Sequence, residues 1–299
     1  GADAIAIHVA LKVEAMLRPE TRPCMEVSKI MCRPRGAAGD PLSMRQLDLD
    51  GTWVLPPALC SDNRRAFFER AKDILGFYAS MATFSKKGGD ALRAAAGSKG
   101  LADDTPFRLR LGGWVMRSTY GGVWRQFEKT QPELTNQVFL MVYGNFEAYL
   151  LDMVHDALSV GHTEDPTQEA IQVLACSRWP GKFDRIHQQL GVGLGKGKMR
   201  NAFANLEMGF LGQPSNDPVD FLQKIAGLRH CLVHSAARAD SDFVASYPRC
   251  GLSPGDRIQL PFEFPFGLHM FFVLFTDVID EAFCLRFGWA RREVLPEQP

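Results

Sequence analysis

Paired cysteines, an excess of one charge and long apolar runs are all missing from this sequence of 299 residues. There is no C-x-x-C pair, and the seven cysteines, at 24, 32, 60, 176, 231, 250 and 284, are odd in number and widely spread. That spacing excludes a zinc ribbon or a disulfide framework and fits the reduced thiols of a cytoplasmic protein. Neither charge dominates: 34 Lys and Arg face 34 Asp and Glu. A protein that coats nucleic acid by bulk electrostatics is excluded, so any nucleic-acid role must rest on a local patch. The longest uncharged apolar run, 264–276, has thirteen residues. A bilayer needs about 20, so no membrane span is expected. No basic segment precedes the first apolar stretch, and no secretory leader is read there.

What is present is a core-forming composition, with 46% hydrophobic and 23% charged residues. It is too apolar for a disordered chain and long enough for one large or two ordinary domains. A compositional boundary falls near residue 125. Residues 1–125 are interrupted by turn formers at 33–41, Lys87-Gly88-Gly89, Gly112-Gly113 and Gly121-Gly122, which predicts short elements separated by loops. Ile5, Ile7, Val9, Leu11 and Val13 alternate as in a strand, although a helix suits them too. Phe67, Ala71, Ile74, Leu75, Tyr78, Met81 and Ala82 recur at helical spacing behind a Ser61 cap, predicting a helix over 61–84.

Residues 126–299 read as mainly helical. Leu134, Val138, Met141, Val142, Phe146, Tyr149, Leu150, Met153 and Ala157 form one stripe behind Pro132, which suits a first turn. The stripe predicts about seven turns of helix. Shorter helices are predicted over 166–175 and 182–190. Asp217-Pro218 supplies a cap and a first-turn proline for another, with Phe221, Ile225, Leu228 and Leu232 down one side. After a turn at 253–256, Ile258, Leu260, Phe262 and Phe264 alternate as a short extended segment, and Leu268 to Phe283 mark a strongly apolar final helix.

Two stretches invite chemistry. Gly191 to Lys198 is rich in glycine, but its lysines precede Gly197 and Met199, so the Walker pattern is not met. The segment is basic all the same. Arg178, Lys182, Arg185, Lys196, Lys198 and Arg200 against Asp184 leave +5 over residues 178–200. Such a patch suits phosphates or simply a solvated face.

The second stretch, Arg229-His230-Cys231-Leu232-Val233-His234, places three strongly polar residues on an otherwise apolar helix. Polar groups placed there need partners or a task. At about 100° per residue, His230 and His234 share a face while Arg229 lies about 140° from His234. Either the helix distorts, or Arg229 and His234 converge on a substrate shared with a second subunit.

A near-neutral imidazole and a permanent guanidinium are the minimum for cleaving a phosphodiester without metal. The ribose 2′-hydroxyl attacks, His234 handles the proton and Arg229 stabilises the charge on the phosphorane. The plain alternative is two ordinary helix histidines with an Arg that pairs with a nearby acid. A zinc reading through His230 and His234 is weaker, since no Glu follows His230 and no third ligand is placed.

At this cluster the sequence resembles the HEPN superfamily (higher eukaryotes and prokaryotes nucleotide-binding), whose nuclease members carry Arg, a polar residue, a few residues and then His. The resemblance runs over about 130–288 and also draws on Phe146-Glu147-Ala148-Tyr149-Leu150, on Trp179 to Ile186, and on the final apolar helix. Ser235 stands where many relatives have Asn, with Ala236 and Ala237 after it.

The resemblance implies a mainly α, HEPN-like helical bundle over 126–299 and a dimer that brings two Arg/His motifs into one cleft. It further implies a metal-independent endoribonuclease that needs no cofactor and leaves 2′,3′-cyclic phosphate ends. Proteins of this kind act as toxins or in antiviral defence, sometimes with an antitoxin or regulatory partner. Arg229 and His234 take the catalytic roles, with His230 and Glu147 in support and Lys196, Lys198 and Arg200 as RNA contacts. Residues 1–125 are left as a sensor, an inhibitory region or an accessory domain, α or α+β. The alternative is a silent HEPN-like module that binds a nucleotide or a partner protein.

Overall fold

A computed structural model describes residues 59–111, 114–161, 164–204, 206, 208, 211–214 and 216–293. The alternating segment at 5–13, the turn formers at 33–41 and Gly112-Gly113 lie outside the described residues. The described chain is mainly α, with two small antiparallel pairs of strands.

Strand β1 (Leu59–Cys60) leads into α1 (Asp62–Ser98), and a hairpin of β2 (Pro106–Leu111) and β3 (Trp114–Thr119) follows. Helix α2 (Tyr120–Val160) is the longest element. Then come α3 (Pro166–Leu174), α4 (Trp179–Leu190), α5 (Lys196–Ala202), α6 (Pro218–His234) and α7 (Ser241–Ser246). The final helix α8 (Phe264–Phe287) ends before β4 (Arg292–Glu293), which returns to pair with β1.

Ser61 caps α1 as its spacing predicts, its side chain accepting from the Arg64 N–H. The helix does not stop at the glycines, however. It runs through Gly88 and Gly89 to Ser98, because α2 packs against it there; a Cβ on Gly89 would come 2.7 Å from the Trp124 ring. The glycines permit a close helix approach where a loop was expected. Gly121 and Gly122 likewise form the first turn of α2, with the Thr119 side chain accepting from the Gly122 N–H.

Helix α2 also starts a dozen residues earlier than its apolar stripe suggests and carries Pro132 in its interior. Packing along α1 overrides the lost hydrogen bond. The compositional boundary near 125 therefore falls inside one helix, and Phe67, Leu75 and Tyr78 share a core with Phe139, Phe146 and the rest of α2.

The caps of α3 and α6 follow the sequence: Asp165 and Asp217 accept from backbone N–H groups ahead of Pro166 and Pro218. The segment expected to be extended from Ile258 to Phe264 forms no strand: an isolated bridge, Arg238 to Arg257, precedes it and Phe264 already begins α8. Helix α8 lies at the centre, packed on α1, α2 and α5, with Phe272 stacked on Phe146 at 4.4 Å and 11°. Its apolar breadth is thus used within one chain.

A polar clasp joins the two ends of the described chain. Asp280, fully buried on α8, accepts from the Ser61 N–H at 3.2 Å, from the Ser61 hydroxyl, and from Arg291 Nε at 3.1 Å. Asp277, one turn earlier, is bridged by Arg64 at 2.5 Å and Arg291 at 2.9 Å. Among the described residues, no helix is long and apolar enough to cross a membrane.

Candidate functional site

Helix α6 buries Phe221, Leu222, Ile225, Leu228, Cys231 and Leu232. That stripe holds it against the core and turns the intervening polar residues outward. Arg229 is half-buried, whereas His230 and His234 are exposed with ring centroids 4.8 Å apart. The i, i+4 relation read from the sequence therefore brings the two imidazoles together. No third His, Cys, Asp or Glu joins them in a metal-sized cluster among the described residues.

The helix ends at His234, and the chain leaves through a strained turn. Ala236 and Ala237 both adopt left-handed backbone, with φ of 51° and 59°. Residues with a Cβ pay roughly 1–2 kcal/mol each for that conformation. The Ala237 N–H to Cys231 carbonyl bond at 3.2 Å and the Ile258 N–H to Ala237 carbonyl bond at 2.7 Å hold the turn in place. The strain thus sits immediately after His234, where it fixes the exit of the chain.

Arg229 lies in the electrostatic range of a second group of polar residues. Glu147 on α2, Lys182 on α4 and Tyr143 on α2 all interact electrostatically with it. Glu147 is half-buried, and burial raises its carboxyl above the usual range although Arg229, Lys182 and a Tyr143 hydrogen bond pull the other way. Among the described residues no ion pair closes on this carboxylate.

Tyr143 is itself held: its hydroxyl accepts from the Trp179 indole N–H at 2.9 Å, and burial pushes its ionisation far up. Its proton stays in place as a donor. Lys182 donates to the Leu174 carbonyl at 2.8 Å and sits 5.0 Å over the Trp179 ring. Burial lowers its pKa despite the neighbouring Glu147. Trp179 ties the cluster to α6, since its backbone N–H donates to Gln223 Oε1 at 2.8 Å.

The basic segment 178–200 is divided by the fold. Lys182 and Arg185 satisfy carbonyls at the end of α3, at Leu174 and Gln172. Lys198 pairs with Glu281 of α8, while Lys196 and Arg200 are exposed on α5. Much of the +5 charge is thus engaged within the protein.

The structure places Arg229 in the electrostatic field of Glu147 and brings His230 and His234 together. Among the described residues no hydrogen bond or ion pair joins Arg229 to His234. Sequence reading did not single out Tyr143 and Trp179, nor Lys182 as a neighbour of Glu147. Tyr143 lies one turn before Glu147, a signal that helical spacing could have supplied. No protein-family model, curated protein or solved structure matches the chain.

Proposed function

We propose that the chain is a metal-independent endoribonuclease that works as a homodimer, in a toxin or antiviral defence role, with RNA as its substrate. The observation that carries this reading is the openness of the motif. His230 and His234 are exposed and adjacent, and Arg229 is only partly covered, so all three are open to an RNA strand. A silent module would be favoured by a motif enclosed in packing, and this one is not enclosed.

His234 takes the proton from a ribose 2′-hydroxyl, and the 2′-oxygen forms its bond to phosphorus. The bond from phosphorus to the 5′-oxygen breaks, and an imidazolium returns a proton to that leaving oxygen. The products are a 2′,3′-cyclic phosphate and a 5′-hydroxyl. Arg229 stabilises the charge on the equatorial oxygens. Glu147 and Tyr143 position Arg229, and His230 orients His234 or contacts RNA. The separation of Arg229 from His234 within one chain is answered by a second copy, whose His234 faces the first copy's Arg229.

Lys196 and Arg200 guide the strand, and Lys198 joins them when RNA displaces Glu281. The test is cleavage of mixed RNA by the parent, Arg229→Ala and His234→Ala. Losses of about 100-fold or more are expected for each, and parental rates in both variants would contradict the proposal.

A further inference from the structure

Beside Glu147 lies a cavity of about 280 Å³ between α2, α3 and α4. Leu150 and Leu151 line it from α2, and Ile171 and Leu174 from α3. Ile171 is 49% exposed, an apolar side chain left at the rim rather than in the core. Glu147 and Lys182 are the charged residues of its lining, next to Trp179. The volume lies just under the range of about 300–1,000 Å³ usual for small-molecule pockets. It suits one planar base with its sugar and little more.

The two charged groups are close enough to influence each other, yet no ion pair closes between them. The gap matches a ligand edge that presents an acceptor beside donors. Both nearby cations, Lys182 and Arg229, disfavour a positively charged ligand.

We propose that this cavity is a guanine subsite, which rests on the ribonuclease reading above and adds base preference to it. The Watson–Crick edge of guanine carries O6, N1–H and the N2 amine in that order. Lys182 donates to O6, and the Glu147 carboxylate accepts from N1–H and N2–H together. The aliphatic walls cover the ring. In single-stranded RNA a splayed base is read along this edge. Adenine and cytosine turn an acceptor toward the carboxylate where guanine offers a donor, and uracil offers one donor in place of two. Each mismatch leaves a half-buried charge unpaired, which is costly. The same carboxylate lies in the electrostatic field of Arg229, so base capture is coupled to the residue that meets the phosphate.

The test is titration calorimetry of the full chain with guanosine, adenosine, cytidine and uridine. Guanosine is expected to bind at least tenfold more tightly than the others. Glu147→Gln should weaken guanosine at least tenfold and erase the preference, because a carboxamide offers one acceptor where guanine needs two. Ala175→Trp, at an exposed position lining the cavity, should block guanosine altogether. Equal affinity for all four nucleosides, absence of binding, or unchanged guanosine affinity in Glu147→Gln would overturn the subsite. None of these readings needs RNA cleavage. A chain that binds guanosine but leaves RNA intact refutes the ribonuclease and keeps the subsite, and one that cleaves with no base preference does the reverse.

Discussion

Two clusters in this molecule draw on the same materials, carboxylates set among two cations, and use them in opposite ways. Around α8, Asp280 and Asp277 are closed by Ser61, Arg64 and Arg291 with contacts of 2.5–3.2 Å, and Asp280 and Arg64 are almost fully buried. Around α2 and α4, Glu147 lies near Lys182 and Arg229 without an ion pair. A buried charge is tolerated when paired and hydrogen-bonded, and costs stability when it is not. The first cluster therefore fastens the start of α1 to the end of the chain. The second holds charge in readiness beside a cavity, the arrangement expected of a site that awaits a ligand.

The sharpest way to break this contrast is to remove charge from each cluster in turn. Asp280→Asn should cost about 2–3 kcal/mol in urea unfolding, because it removes the buried negative charge that accepts from Ser61 and Arg291 and leaves Arg291 with Asp277 alone. Loss of less than about 1 kcal/mol would show that the clasp is not structural. A buried titratable group outside both clusters offers a further comparison. His269 on α8 is 3% exposed, and burial lowers its pKa to about 4 from 6.5. Its folded pKa is depressed, so the unfolded chain takes up the proton first on acidification. The stability that its neutral form contributes is full above pH 6.5 and falls as pH drops toward 4, by about 3 kcal/mol in all. Denaturation midpoints between pH 7 and pH 4 in the parent and in His269→Leu check this, and the variant should lose that part of the slope.

Smaller changes test the site from its edges. Ala236→Gly and Ala237→Gly should each raise stability by about 0.5–1 kcal/mol, since glycine relieves a left-handed conformation at some entropic cost. Neither change should alter base preference. Glu147→Gln should leave neutral-pH stability within about 1 kcal/mol of the parent or raise it, because it removes a charge that burial already disfavours. The sign follows from the raised carboxyl: its stabilising contribution is present at low pH and is lost as pH rises through the folded value. A large loss in Glu147→Gln would make the second cluster as structural as the first.

Local signals were legible in the sequence. Asp165-Pro166 and Asp217-Pro218 mark helix starts by capping chemistry, Ser61 marks another, and the apolar stripe of α6 fixes which face Arg229, His230 and His234 turn outward. The misread positions are those where packing decides. Gly88 and Gly89 read as a loop until Trp124 and Phe127 are seen against them, and Pro132 reads as a helix start until α1 is seen alongside. The clasp joins residues more than 200 apart in sequence, and the Glu147 cluster joins α2, α4 and α6. No periodicity in one helix encodes such meetings. The spacing gave the His230 and His234 pair, while the nearness of Arg229 to Glu147 and Lys182 came only from the fold.

The most direct measurement is cleavage of mixed RNA with end-group analysis, run with and without EDTA on the parent, Arg229→Ala and His234→Ala. The expected products carry 2′,3′-cyclic phosphate ends, undiminished in EDTA and lost in both variants. Cleavage abolished by EDTA, or retained at the parental rate in either variant, would contradict the ribonuclease reading.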